Sequence, residues 1–186
     1  MNAPARPPVL FTHTTIANAI LDLADRMSNT VGALDGEVTV LIVLKGAFRF
    51  AADLLAALPL DSRITRLEFI TVRSYEERGL KGSLSVARLS APEAALEGRH
   101  VIILDDIFDT GQTIKVIREY VARYNPASIR EAVLIKRTDP HATVEPPTFH
   151  ALTVAPGIWV WGYGLDYDGE NCRTLGFIAG EDGPTP

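Results

Sequence analysis

Residues 38–44 read VTVLIVL, a continuous apolar run rich in β-branched residues. A strand with one wet face alternates apolar and polar side chains; a run without alternation is buried on both faces. Such a strand needs a layer above it and a layer below it. The run therefore predicts an α/β fold with a mostly parallel central sheet flanked by helices. Residues 101–104 (VIIL) and 133–135 (VLI) repeat the pattern. Helices are expected between the strands. Residues 14–27 place Ile16, Ile20, Leu23 and Met27 on one face, with Thr14 or Thr15 as cap. Residues 47–58 form a second helix stopped by Pro59, and residues 112–124 a third that ends at Asn125-Pro126. Further strands are expected at 64–72, 84–89, 129–135, 149–154 and 158–161. Residues 105–111 read as a loop. Residues 74–83 (SYEERGLKGS) are polar, carry two glycines, and read as a mobile loop.

The chain has 186 residues with no repeat and no internal linker, so one domain over 1–186 is expected. The proline-bearing segment 1–8 and residues 181–186 read as loose tails. The net charge is −5 and the pI about 5.4. This acidic balance disfavours nonspecific binding to nucleic acid or to an anionic membrane. An anionic ligand would need local cradles. A single cysteine, Cys172, forbids an intrachain disulfide and fits a cytoplasmic location. No apolar run approaches the roughly 18 residues of a membrane span, and the N-terminus lacks the apolar core of a secretory signal. His13, His100, His141 and His150 show no metal-ligand spacing.

In open α/β sheets, ligands sit beyond the carboxyl ends of the strands. Lys45, Asp105, Asp106 and Lys136 all follow apolar strand cores. The strongest segment is 101–113, VIILDDIFDTGQT. A buried strand delivers two carboxylates, Asp105 and Asp106. The loop Asp109-Thr110-Gly111-Gln112-Thr113 then opens a helix. Small and hydroxylated residues there expose N–H groups at a helix start, which suits one phosphate monoester. Paired carboxylates suit neighbouring ribose hydroxyls, or a magnesium ion held by them. Lys45-Gly46 is cationic and sterically open, so a backbone amide there can approach a diphosphate.

The 101–113 string resembles the phosphoribosyl pyrophosphate (PRPP) signature of type I phosphoribosyltransferases. Leu44-Lys45-Gly46, Ser74-Tyr75, residues 133–138 (VLIKRT) and residues 159–167 (WVWGYGLDY) are similar to the hypoxanthine/guanine branch. The similarity runs in order from about Val38 to Phe177. It implies a fold with a small hood built from the N- and C-terminal segments and a flexible β-hairpin. It also implies purine salvage: transfer of 5-phosphoribosyl from PRPP to a 6-oxopurine, giving IMP or GMP and pyrophosphate, with Mg2+.

The residue roles that follow are those the resemblance implies. Lys45, Gly46, Asp105, Asp106, Asp109, Thr110, Gly111, Gln112, Thr113 and Arg173 bind PRPP, with a non-proline cis peptide at the Lys45 loop. Asp105-Asp106 replaces the family's usual Glu-Asp pair. Lys136 donates to the purine O6. Trp159 stands where Phe or Tyr usually stacks on the base; such stacking is worth roughly 1–3 kcal/mol. Val160 offers backbone groups to the base edge. Asp166, with Asp105 and Asp106, faces magnesium. Asp109 is the catalytic candidate for the purine N7 proton, either taking it or holding it through a hydrogen bond. Ser74 and Tyr75 close the hood. Asp166 to Arg173 is one residue longer than the family spacing, so the pyrophosphate contact of Arg173 stays open. Trp161 suits the pocket wall, the core or an interface, and Arg137 reads as structural or surface. A homodimer or homotetramer is implied. The competing reading is a PRPP- or nucleotide-sensing regulator with the same fold; a divergent nucleotide-binding fold without activity is a third.

Overall fold

The computed structural model describes residues 8–58, 64–77, 80–90, 92, 95–137, 144–168 and 171–183, with backbone only over 74–77 and 80–83. In chain order the elements are β1 (Val9–Phe11), α1 (His13–Gly32), β2 (Val38–Leu44), α2 (Phe48–Ala57), β3 (Ile64–Glu77), β4 (Leu80–Leu89), β5 (His100–Phe108), α3 (Gln112–Ala122), β6 (Ser128–Arg137), β7 (Phe149–Val154), β8 (Ile158–Trp161) and β9 (Ile178–Asp182).

The central sheet has six strands in the order β4-β3-β2-β5-β6-β7. β2 pairs in parallel with β3 and β5, β5 with β6, and β6 with β7. Only β4 runs antiparallel, against β3. The apolar run of β2 is buried over its first six residues, as expected of a strand covered on both faces. α1 buries Ile16, Ile20, Leu23, Ala24, Met27 and Val31, a helical stripe. α1 packs on α2 and β7, and α3 packs on β6 and β4. No helix of the described residues is long and apolar enough to cross a membrane.

A second sheet, β1-β9-β8, is antiparallel and forms the expected hood from the two chain ends. It corrects the C-terminal tail. Glu181 and Asp182 pair with Trp159 and Ile158, and Gly183 N–H donates to Gly157 O at 2.6 Å. Residues 1–7 and 184–186 lie outside the described residues, as do Pro59, Thr138 and His141.

Other boundaries also move. The cap of α1 is Thr12, whose hydroxyl accepts from Thr15 N–H at 3.2 Å, rather than Thr14 or Thr15. Residues 105–108 continue β5 instead of opening a loop. Most of 74–83 is strand: Ser74 pairs with Leu84 and Tyr75 with Ser83. A polar, glycine-bearing string can still form a hairpin, because ladder bonds use the backbone.

One buried charge holds α3 to the sheet. Glu131 is 3% exposed. Its Oε1 accepts from Arg118 Nε at 2.6 Å, and its Oε2 from Thr148 Oγ1 at 3.1 Å and Thr148 N–H at 3.4 Å. Burial pushes the Glu131 carboxyl up. The hydrogen bond and charge of Arg118, with the Thr148 donors, outweigh it and hold the group below its ordinary value. A depressed carboxylate stabilises the fold above its unfolded pKa of about 4.3 and loses that contribution as pH falls through the lower folded value. Arg118→Met should leave the carboxylate buried and unpaired, costing about 2–4 kcal/mol. Urea denaturation at pH 7 measures this, and acid unfolding of the variant should begin at higher pH than in the parent.

Candidate active site

β2 delivers Leu44 to the sheet edge, and the Leu44–Lys45 peptide is cis. Gly46 follows. A Cβ on Gly46 would lie 1.5 Å from Asp106 Oδ2 and 2.5 Å from its Cγ. The Asp106 carboxylate thus occupies the space that any side chain at 46 would need. Gly164 packs on Gly46 as well. Its φ is +107°, and a Cβ there would lie 2.3 Å from Gly46 O. Both the backbone conformation and the close approach require glycine. Three segments far apart in sequence meet here at backbone distance.

The acid pair is anchored locally. Asp105 Oδ1 accepts from Asp106 N–H at 3.0 Å, and Asp106 Oδ1 from Ile107 N–H at 2.8 Å. Burial, then the adjacent Asp106 charge, pushes Asp105 well above the ordinary carboxylate range. Burial raises Asp106 too, against hydrogen bonds from Asp105 and the backbone and against the charge of Arg173. A raised acid costs the fold stability as pH climbs from its unfolded pKa to its folded pKa, and the full cost persists above that. The pair is electrostatically unfavourable until a donor or a cation reaches it.

Arg173 reaches the site despite the longer spacing. Its Nη1 donates to Gly164 O at 2.7 Å and its Nη2 to Asp166 Oδ1 at 2.6 Å. Asp168 Oδ1 accepts from Asn171 N–H at 3.1 Å and from its side-chain amide at 2.9 Å, and Cys172 adopts φ +70°.

A cavity of about 250 Å³ brings Lys45, Gly46, Asp105, Asp106, Thr113, Asp166 and Arg173 together, with Val72 and Leu84 from the root of the β3–β4 hairpin. Among the described residues no three acids, histidines or cysteines close into a metal cage. Carboxylates facing one cavity still fit magnesium, which keeps waters and substrate oxygens among its ligands.

Beside this cavity, residues 109–111 link β5 to α3. Gly111 is the helix N-cap, with φ +77° and no side-chain cap bond. The first N–H groups of α3 stay available for an anion. Asp109, Thr110 and Gln112 are exposed there, and Thr113 is half-buried.

The expected base-binding residues other than Asp166 lie outside the lining of that cavity. Lys136 is half-buried near the end of β6 and pairs with Phe108, next to Asp109. Trp159 and Val160 lie on β8 in the hood; Trp159 is 43% exposed and Val160 buried. Trp161 is a core residue, fully buried, with its ring edge on Tyr167 at 4.9 Å between centroids. Ser74 and Tyr75 sit on β3 with their backbones paired; their side chains lie outside the described ones.

Two supports escaped the sequence. Arg137, expected to be structural or surface, has a side chain only 11% exposed, and its Nε lies 2.8 Å from Asp109 Oδ1. Tyr163 donates its hydroxyl to Asp53, and Arg49 lies over the Tyr163 ring at 4.3 Å. Arg49 also donates to Leu175 O at 2.8 Å. These contacts fasten α2 to the glycine-rich segment. The i, i+4 spacing of Arg49 and Asp53 was a faint sign of a paired face.

A phosphoribosyl transferase domain model matches residues 10–168. The hypoxanthine-guanine phosphoribosyltransferase of Dictyostelium discoideum is 32% identical, over 92% of this chain and 93% of its own. That of Mycobacterium tuberculosis is 35% identical, over 92% and 84%. The structure of a Trypanosoma cruzi hypoxanthine phosphoribosyltransferase, a ternary substrates complex, superposes with TM-score 0.80 at 29% identity, covering 92% of each chain. The Gly46 contact yields a direct test. Gly46→Ala should keep the fold, because the added methyl displaces a half-buried side-chain carboxylate at the cavity and not backbone. Calorimetric titration should show PRPP affinity reduced at least about 10-fold, the scale of one lost charge-assisted hydrogen bond.

Proposed function

The chain belongs to the phosphoribosyl transferase domain family, and from that premise we propose that it is a purine salvage enzyme, a hypoxanthine/guanine phosphoribosyltransferase. It transfers 5-phosphoribosyl from PRPP to a 6-oxopurine and releases pyrophosphate. One observation carries the reading: the Lys45 loop, the Asp105-Asp106 pair and the Asp166–Arg173 pair meet on one cavity beside an open helix start. The sensor alternative draws no support from this arrangement, which retains both the sugar-phosphate half and Lys136, Trp159 and Asp166 for a base.

The reaction breaks the bond from ribose C1 to pyrophosphate and forms one from C1 to purine N9, while the N7 proton leaves. The 5-phosphate takes N–H and hydroxyl donors from Thr110, Gly111, Gln112 and Thr113. Asp105 and Asp106 accept from the ribose hydroxyls, which satisfies the buried pair. Lys45, the Gly46 backbone and Arg173 bind the diphosphate as charge builds on it. Asp166, Asp105 and Asp106 would hold magnesium, which when bound neutralises the departing diphosphate.

On the base side, Trp159 stacks on the ring, Val160 offers backbone groups and Lys136 donates to O6. A cation at O6 also favours the negative charge left on the ring as N7 loses its proton. Asp109 receives or holds that proton. Ser74 and Tyr75 close over the site and exclude water from the cationic ribose. Ser74 pairs with Leu84, whose side chain lines the cavity, so the hairpin stands next to the reacting centre. A cytoplasmic homodimer or homotetramer completes the proposal.

Pyrophosphate release with Mg2+, PRPP and each of hypoxanthine, guanine, xanthine and adenine tests the reading. Turnover is expected with hypoxanthine or guanine and not with adenine; no turnover with any base refutes it. Asp109→Ala should lower kcat by about 100-fold or more and weaken PRPP binding far less. Equal losses in both would remove the proton role.

A further inference from the structure

Arg137 connects two halves of the site. It is the last residue of β6. Its Nε lies 2.8 Å from Asp109 Oδ1, and its Nη1 donates to Ile158 O, with Ala155 O at 3.5 Å. Ile158 opens β8 and immediately precedes Trp159. One guanidinium therefore touches the loop that carries the proton-handling carboxylate and the strand that carries the stacking ring.

The chemistry of the contact is specific. The Arg137 side chain is 11% exposed and that of Asp109 52%. The buried partner is the cation, fixed by backbone carbonyls, and the half-exposed partner is the acid it orients. The Nε–H is not aligned for a hydrogen bond, so the contact works through charge and leaves the carboxylate able to accept a hydrogen bond from a ligand. A planar guanidinium can serve a carboxylate and carbonyls at once; an ammonium cannot reproduce that fork. The neighbouring Lys136 pairs through its backbone with Phe108 and Thr153.

We infer that Arg137 is a positioning residue: it holds Asp109 toward the purine and locks the base-stacking strand β8 at a fixed distance from it. This deepens the proposed transferase reading and rests on it. The chemical step should depend on Arg137, while PRPP binding, made by the Lys45 loop and the acid pair, should not.

The test is a double-mutant cycle on steady-state turnover with Arg137→Gln, Asp109→Asn and the pair, with Arg137→Lys and the parent enzyme alongside. Arg137→Gln should lower kcat with a 6-oxopurine by about 10- to 100-fold, the scale of a misplaced reacting group. The KM for PRPP should change less than about 3-fold, and Arg137→Lys should recover part of the loss. On the Asp109→Asn background, Arg137→Gln should add little, because a residue acting through Asp109 has nothing left to act on. A kcat unchanged in Arg137→Gln overturns the inference. So do losses that multiply in the double variant, or a PRPP KM that rises as much as kcat falls, which mark a merely structural role. Should Arg137→Gln fail to fold, Arg137→Lys carries the same cycle. A parent enzyme inactive with every purine would refute the transferase reading itself, and the inference with it.

Discussion

The contact on which the site depends is the meeting of Gly46, Asp106 and Gly164. Each comes from a different part of the chain: the end of β2, the outer half of β5, and the turn after β8. The Asp106 carboxylate fills the volume where a Gly46 side chain would stand, and the Gly46 carbonyl fills the volume where a Gly164 side chain would stand. Neither glycine is replaceable without moving the acid or the loop. The parallel sheet supplies the framework, since β2 and β5 are neighbours in register from Val38 to Ile42. It brings the Lys45 loop beside the acid pair with no freedom to drift.

That packing has an electrostatic consequence. Asp105 is buried and the adjacent Asp106 half-buried, and both are raised. They oppose the folded state at high pH. Arg173 offsets only part of this cost. A sheet edge that keeps two acids in this condition is arranged for a ligand that brings hydroxyl donors and a cation. PRPP with magnesium is such a ligand.

The strands buried on both faces were legible because their composition leaves no other use for them. β2 appears with the expected bounds, as do the partly exposed β7 and β8. The acid pair was placed just beyond its strand, whereas β5 runs on through Phe108: polarity signals a loop, but ladder bonds do not depend on side chains. The same reasoning explains 74–83, where polar residues pair across a hairpin. β9 was invisible because its strand, IAGED, has little apolar character and is held by β1 and β8 rather than by its own composition. Lys45, Asp166 and Arg173 could be named by pattern, yet their convergence is tertiary. Arg137 was missed for the plainest reason: an arginine at a strand end looks solvated until a distant carboxylate and two carbonyls are seen around it.

The role proposed for the acid pair is to bind the sugar of PRPP, and without that ligand the pair burdens the fold. Calorimetric titration of Mg2+ and PRPP into the parent and into Asp105→Asn/Asp106→Asn, with thermal unfolding of both at pH 8, tests this most directly. The account predicts at least about a 10-fold loss of PRPP affinity together with a Tm equal to or above that of the parent, because raised carboxylates oppose folding at that pH. Unchanged affinity, or a variant that binds PRPP normally but melts lower, would contradict it.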